Sequence, residues 1–218
     1  KKIYIFFLNI YYYMVNKIPD IYECPFDIYL LNFIDTHLHY YYKLNFTPNM
    51  ITTISIIVGT LSAHNIYKEN YKTAALLLLI AYYFDCVDGK LARKYNMQTD
   101  FGDYYDHFGD LFKTIIIIYA LYKTNPKFFN NIKLLIIIVI LLTFLHLGYQ
   151  EVIYNSNESP TLSLFKKIAE EDKNPKKTIQ DTRYCGCETQ MLILAIIIIS
   201  WKKYQYEYQY EYQYQYQY

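Results

Sequence analysis

The sequence predicts an all-α, polytopic membrane helix bundle of about five spans, with an amphipathic helix lying at the interface before the first span. Three observations carry this. Hydrophobic residues make up 54% of the chain, yet mean hydropathy is close to zero, so apolar residues are gathered in blocks and diluted by polar loops and a polar tail. Four runs, about 48–66, 71–88, 107–122 and 132–149, approach the ~20 residues a helix needs to cross a bilayer, and a fifth, 191–201, is apolar but short. Two of the runs are joined by a short segment rich in aspartate.

With 218 residues there is room for one domain or one compact bundle. Residues 3–14 are apolar but too short to span, and no small-residue cleavage site follows them, so they read as an interfacial segment or extension. The chain opens on Lys1 rather than Met, which leaves its true start open. Residues 26–46 place Tyr29, Leu30, Phe33, Ile34, Leu38 and Tyr41 near helical spacing, with Asp27, Asp35, His37 and Lys43 between them. That pattern suits a helix in the interface plane. Pro48 then opens the first span, where its missing N–H costs nothing. The segment 151–189 is polar and holds six of the 21 basic residues, and 204–218 is a Tyr/Gln/Glu repeat, expected to be disordered or aggregation-prone and without a catalytic role. The expected division is 1–46 as extension and juxtamembrane helix, 47–201 as membrane domain, and 202–218 as tail.

Placing the N-terminus inside puts Lys1, Lys2, Lys17 and Lys43, then Lys90, Arg93 and Lys94, then the six basic residues of 151–189, on the cytoplasmic face. Lys68, Lys72, Lys123, Lys127, Lys133, Lys202 and Lys203 fall opposite. The balance favours N-inside, with the aspartate-rich connection on the cytoplasmic side. A net charge of +1 without a basic patch gives no reason to expect a nucleic-acid partner. The four cysteines are too few and scattered for a disulfide framework, and Cys185-Gly186-Cys187 lacks the spacing of a zinc knuckle or redox pair.

The chemistry concentrates around the second and third runs. Asp85, Asp88, Gly89 and Ala92 are three, four and seven residues apart and share one helix face; Gly102, Asp106 and Asp110 share another. The short connection from about Tyr95 to Phe101 predicts that the two helices are antiparallel neighbours, so that the four aspartates converge on one pocket while Gly and Ala leave room for a flat ligand. A carboxylate near a span centre costs ~2.5–3.5 kcal/mol on insertion scales, so the cluster needs compensation. An all-oxygen set selects hard cations, Mg²⁺ or Mn²⁺. Two such ions ~3.5–4 Å apart would clamp a pyrophosphate, and Arg93 adds a planar cation for phosphate. The reaction so implied is phosphoryl-type transfer.

The spacing D-x2-D-G-x2-A-R-x8-G-x3-D-x3-D, filled by Asp85, Asp88, Gly89, Ala92, Arg93, Gly102, Asp106 and Asp110, resembles the signature of the CDP-alcohol phosphotransferase family. Thr47-Pro48-Asn49-Met50-Ile51-Thr52 resembles that family's entry into its first span, and the resemblance covers about 26–150. It implies transfer of a substituted phosphate from a CDP-linked donor to a lipid or small alcohol, with release of CMP. It also implies that the four aspartates hold two divalent cations and that Asp110 is the general base. Gly89, Ala92 and Gly102 would lie against the CDP moiety, Arg93 would support the site, and Asn49 and Thr52 would border the nucleotide. Members generally have six spans and form homodimers; here the repeat tail stands where a sixth span is expected. Asp106-His107 resembles the choline/ethanolamine phosphotransferase branch, the alternative being a phosphatidyltransferase that uses CDP-diacylglycerol.

Three other readings compete with this one. Solvated helix ends would explain the aspartates but not eight fixed positions. A cation channel or transporter would not need the Gly/Ala gaps or the Ala-Arg pair. An inactive, truncated membrane protein is opposed by the intact metal positions and favoured by the missing sixth span. Away from the fixed positions, Asp100 and Asp103 read as solvated, with Asp103 close enough to approach the metals. His107 reads as a polar helix-start residue. Lys113 reads as a snorkelling or phosphate-meeting side chain.

Overall fold

The computed structural model describes residues 18–154 and 162–215, and all regular structure among them is helical. The helices are α1 (Pro25–Lys43), α2 (Pro48–Tyr67), α3 (Tyr71–Lys94), α4 (Asp100–Thr124), α5 (Pro126–Tyr154), α6 (Ser163–Glu170), α7 (Pro175–Asp181) and α8 (Cys187–Gln215). The expected extension at 3–14, residues 155–161 of the polar segment and the last three residues of the tail lie outside the described residues.

Local chemistry sets the helix boundaries. Proline occupies the first turn of α1, α2 and α7, where its fixed φ fits and no hydrogen bond is lost. Thr47 caps α2 by accepting from the Met50 N–H at 3.3 Å, and Thr99 caps α4 by accepting from the Gly102 N–H at 3.0 Å. The four long runs all lie inside helices, but α3 continues past Asp88 to Lys94 and α4 already starts at Asp100. The signature residues therefore sit within continuous helices rather than in a loop between spans.

Two stretches, α2 and Pro126–Ile153 of α5, are long and apolar enough to cross a membrane, and Cys187–Trp201 is a shorter apolar stretch. Among the described residues, length and composition thus mark two of the expected spans, because α3 and α4 interrupt their apolar runs with charged residues. The tail also differs from expectation: α8 carries the repeat in helical form to Gln215. Trp201 is fully buried and packs edge-on against Phe128 at a ring separation of 4.9 Å. That anchors the apolar half of α8, and extending a nucleated helix through Gln and Glu costs little.

Helix α2 organises the bundle. It packs along both α3 and α4, and these contacts are more extensive than any between α3 and α4. The expected neighbours α3 and α4 meet through side chains at the aspartates. Small residues explain the outcome. The Ser55 and Ser62 hydroxyls of α2 donate to the Ala81 and Ala74 carbonyls of α3 at 2.9 and 2.7 Å. On the α4 side, a Cβ at Gly109 would come within 2.8 Å of Ile56 Cδ1. Such hydrogen bonds average only about 0.6 kcal/mol between membrane helices, so close backbone approach matters as much as the bonds. A core of α2, α3, α4 and α8 side chains, including Ile66, Leu78, Leu121, Ile198 and Trp201, closes the end away from the aspartates.

Helix α1 forms where the interfacial helix is expected. It buries Ile34 and Leu38 against Ile51, Val87 and Leu91 and exposes Phe26, Tyr29, Phe33 and Tyr40. Its polar residues are not simply solvated. Asp35 forms ion pairs with Lys90, which is completely buried, and with Lys94 at 3.4 Å. The Lys90 ammonium also donates to the Leu31 carbonyl at 2.9 Å. Burial pulls the Lys90 pKa down, against the pull of Asp35 in the other direction.

Removing one partner of a buried ion pair leaves the other charge stranded, which typically costs about 3–5 kcal/mol. Asp35→Leu, which strands the completely buried Lys90 ammonium, is therefore expected to destabilise the fold by roughly that amount in detergent unfolding experiments. A loss below about 1 kcal/mol would mean that apolar packing alone holds α1 to α3.

Candidate active site

The C-terminal half of α3 and the N-terminal half of α4 meet through their side chains. One carboxylate oxygen from each of Asp85, Asp106 and Asp110 lies within 4.8 Å of the others. Asp88 is not one of these three. It is 4% exposed, and its Oδ2 accepts a 2.6 Å hydrogen bond from the Thr52 hydroxyl of α2. Three of the four expected metal ligands are thus assembled and the fourth is held beside them by an expected substrate contact.

A cation fits this arrangement. Asp106 Oδ1 is buried with no hydrogen-bond partner among the described residues, and an unsatisfied buried carboxylate oxygen is costly unless something positive meets it. Two like charges about 5 Å apart repel by roughly 3 kcal/mol at an effective dielectric near 20. The all-oxygen donor set suits Mg²⁺ or Mn²⁺.

Part of the compensation comes from Lys113, which the sequence suggested would snorkel or meet a phosphate. Lys113 is buried. Its ammonium donates to Ser55 Oγ and to Asp85 Oδ1, both at 2.7 Å, and pairs with Asp110 Oδ1 at 2.8 Å without hydrogen-bond geometry. The sequence signal for it was a lysine one turn past Asp110 inside an apolar run, opposite Ser55 and Gly59 on the helix before.

The carboxylates stand at one end of a cavity of about 1070 Å³. Thr52, Gly89, Ala92, Arg93 and Gly102 line the same end. Gly89 and Gly102 serve differently from each other. A Cβ at Gly89 would meet Arg93 Nη1 at 3.2 Å, so the guanidinium lies across that glycine. A Cβ at Gly102 would lie 3.0 Å from Thr99 Oγ1 and 3.2 Å from Asn49 Oδ1. Asn49 stands behind Gly102 and is not among the residues lining the cavity. Asp100, Asp103 and His107 also line it; Asp100 is exposed, as expected, and Asp103 stands near the carboxylate cluster, the alternative that its position allowed. The His107 Nδ1 lies 2.8 Å from the Asp103 carbonyl oxygen.

The far walls are the part that no motif revealed. Leu111, Ile115 and Ile118 of α4, Ile140, Phe144 and Leu147 of α5, and Met191 of α8 form an apolar surface. Thr114, Thr143, Glu151 and Gln190 interrupt it. Helices α1 and α3 are tied together where Tyr82 donates to Asp27 Oδ1 at 2.6 Å, and Glu188 of α8 lies beside that carboxylate. Burial, and then the charge of Glu188, push the Asp27 carboxyl up to about 9.

The family model described as CDP-alcohol phosphatidyltransferase matches residues 45–213. A CDP-diacylglycerol–serine O-phosphatidyltransferase of Bacillus subtilis is 37% identical over 68 residues, 31% of this chain and 38% of its own length. A CDP-diacylglycerol–glycerol-3-phosphate 3-phosphatidyltransferase of Rickettsia felis is 38% identical over 82 residues, 36% of this chain and 45% of its own. An archaetidylinositol phosphate synthase of Pyrococcus horikoshii is 28% identical over 79 residues, 36% of this chain and 42% of its own. The chain thus spans less than half the length of these curated relatives. No solved structure matches it.

Repulsion among the three converging carboxylates predicts a trade between stability and site integrity. Asp106→Asn is expected to raise the stability of the metal-free protein, by about 0.5–2 kcal/mol as is common when a strained functional group is neutralised. It should also remove most of the thermal stabilisation that Mg²⁺ or Mn²⁺ gives the unsubstituted chain. A variant less stable than the parent without metal would instead mark Asp106 as a structural residue.

Proposed function

The chain belongs to the CDP-alcohol phosphatidyltransferase family, and from that premise we propose that it is a membrane enzyme of phospholipid biosynthesis, which transfers a substituted phosphate from a CDP-linked donor to an alcohol acceptor and releases CMP. The observation that carries this reading is the convergence of Asp85, Asp106 and Asp110, with Asp88 beside them, at the polar end of an otherwise largely apolar cavity.

Asp85, Asp88, Asp106 and Asp110 would hold the divalent cations, whose contribution when bound is to neutralise the donor pyrophosphate and the charge that develops on transfer. The other roles belong to the chain itself. The Thr52 hydroxyl fixes the rotamer of Asp88. Arg93, lying across Gly89, offers its guanidinium to the phosphates, and Ala92 and Gly102 keep the floor of the cavity low. Asp110 is the general base. It lines the cavity and 41% of its side chain stays accessible, so an acceptor hydroxyl can reach it. As Asp110 takes the hydroxyl proton, the acceptor oxygen bonds to the donor phosphorus, the bond from that phosphorus to the bridging oxygen breaks, and CMP leaves. The apolar walls of α4, α5 and α8 take the hydrocarbon chains of whichever partner is a lipid.

Two finer readings of the donor each have support. The relatives from B. subtilis and R. felis are named for CDP-diacylglycerol, which favours a phosphatidyl donor and a small acceptor. Asp106-His107, with His107 facing the cavity, favours a CDP-choline or CDP-ethanolamine donor with diacylglycerol as acceptor. As for placement, α2, α3, α4, α5 and α8 all expose large apolar side chains, among them Ile57, Leu76, Ile115, Leu135 and Ile196. Lipid covers such surfaces at no cost, which supports a multi-pass protein. The positive-inside balance favours the cytoplasmic face for the site; in this reading α1 lies at the interface and a second copy is the partner.

The test is CMP release by purified protein supplied with Mg²⁺, a panel of CDP donors and a panel of alcohols. At least one pair is expected to give CMP, and chelation of divalent ions should abolish it. Release only with CDP-diacylglycerol selects the phosphatidyl reading, release only with CDP-choline or CDP-ethanolamine the other, and turnover that survives thorough chelation sinks the metal-dependent mechanism.

Substitutions then separate the aspartates. General-base catalysis is typically worth ~10²–10⁴ in rate, so Asp110→Asn should lower turnover by about that factor while donor affinity partly survives. Asp85→Asn should lose both together. Equal loss of donor affinity in the two variants would leave Asp110 as a ligand only.

A further inference from the structure

We infer that Lys113 is a resident counter-cation of the aspartate cluster, a positioning residue that shares Asp85 and Asp110 with the divalent ions and thereby weakens their binding. The inference rests on the proposal that these aspartates hold such ions.

Lys113 is one turn beyond Asp110 on α4, in a segment that is otherwise apolar. A lysine there has two courses open to it: to extend along the helix toward water, or to stay inside and be neutralised. It takes the second. Its side chain is 8% exposed, and its ammonium touches one oxygen each from Asp85 and Asp110 together with the Ser55 hydroxyl. Ser55 in turn donates to the Ala81 carbonyl at 2.9 Å, so its oxygen is oriented to accept from the lysine.

The helix opposite is built to admit that side chain. A Cβ at Gly59 would fall 2.8 Å from Lys113 Cγ and 2.9 Å from Cδ. These are mid-chain atoms, so the stem has no room to step aside while keeping its head in place. Ser55 and Gly59 are one turn apart on α2, and together they provide the acceptor for the ammonium and the channel for the stem. A snorkelling lysine requires neither. Thr52, one turn earlier still, holds Asp88, so the same face of α2 carries all three devices.

The consequence for metal is set by charge. A fixed monovalent cation 2.7–2.8 Å from Asp85 and Asp110 lowers the repulsion among the carboxylates before any divalent ion binds. It also competes for two of the three carboxylates that converge, and repels an incoming divalent ion. Lys113 therefore makes the cluster tolerable without metal at the expense of metal affinity, and leaves the ions exchangeable.

The experiment is a Mn²⁺ titration of the purified full chain in detergent without donor or acceptor, read by the electron-paramagnetic resonance of free Mn²⁺, alongside thermal unfolding with and without the ion. Lys113→Met is expected to bind Mn²⁺ about tenfold more tightly, which corresponds to about 1.4 kcal/mol. It should also unfold at a lower temperature without metal and gain more on metal addition than the parent. Gly59→Ala keeps the charge and touches neither metal nor substrate, but displaces the stem; it should tighten Mn²⁺ binding in the same direction by a smaller factor. A lysine that only filled space would change the unfolding temperature without tightening the metal. Parent protein that binds Mn²⁺ while both variants bind it equally or more weakly overturns this inference alone. Parent protein that binds no Mn²⁺ overturns it together with the metal-dependent reading of the site.

Discussion

Three carboxylate oxygens brought within 4.8 Å of one another inside an apolar bundle are the constraint on which the rest of the structure depends. Left alone, such a cluster would protonate or push its helices apart. Each neighbouring feature answers part of that problem. Thr52 supplies a hydroxyl proton to Asp88, Lys113 supplies a charge to Asp85 and Asp110, and Asp106 keeps one buried oxygen for a cation to meet. The site is therefore under-neutralised by its own chain, which is the condition a metal-dependent transfer site requires.

Helix α2, which has no carboxylate of its own, supplies Thr52 directly and seats Lys113 of α4 through Ser55 and Gly59. Its small and hydroxylated residues face both neighbours: Ser55 and Ser62 reach α3, while Gly59 admits Lys113 from α4. Lipid supplies no hydrophobic drive to bring membrane helices together, so close approach and polar contacts must supply it. The same residues that let α2 sit between α3 and α4 also fix the side chains of the site, so that packing and site geometry are not separable here.

The cavity joins two environments. At one end are the aspartates, Arg93 and the small residues; along the other walls are apolar side chains of α4, α5 and α8. Chemistry on a phosphate linked to a hydrocarbon requires that juxtaposition, because the charged atoms must stay near water while the chains stay out of it. Helix α1 braces the polar end from outside. Its Asp35 meets Lys90, only two residues beyond Asp88, so the helix that would lie at the interface is linked directly to the turn of α3 that bears the site.

The sequence by itself determined the helical class, the four long runs, and the identity of the aspartates, since helical spacing and local capping depend only on neighbours along the chain. It also placed Asp85, Asp106 and Asp110 correctly relative to one another, because fixed intervals on two helices joined by a short connection allow few arrangements. It misjudged what depends on distant partners. Composition made the repeat a disordered tail, yet buried Trp201 anchors a helix that continues through it. The short connection made α3 and α4 neighbours, and they do meet through side chains at the aspartates, but the small residues of α2 bring its backbone closer to each of them than they come to one another. The sequence left Lys113 as a side chain that would snorkel or meet a phosphate and gave Asp35 no partner, because a pattern along one helix does not say which side chains on another will meet it. The tertiary structure alone decided the buried pairings and the apolar walls contributed by α5 and α8. They are assembled from residues far apart in the chain, and only the folded backbone sets the distances between them.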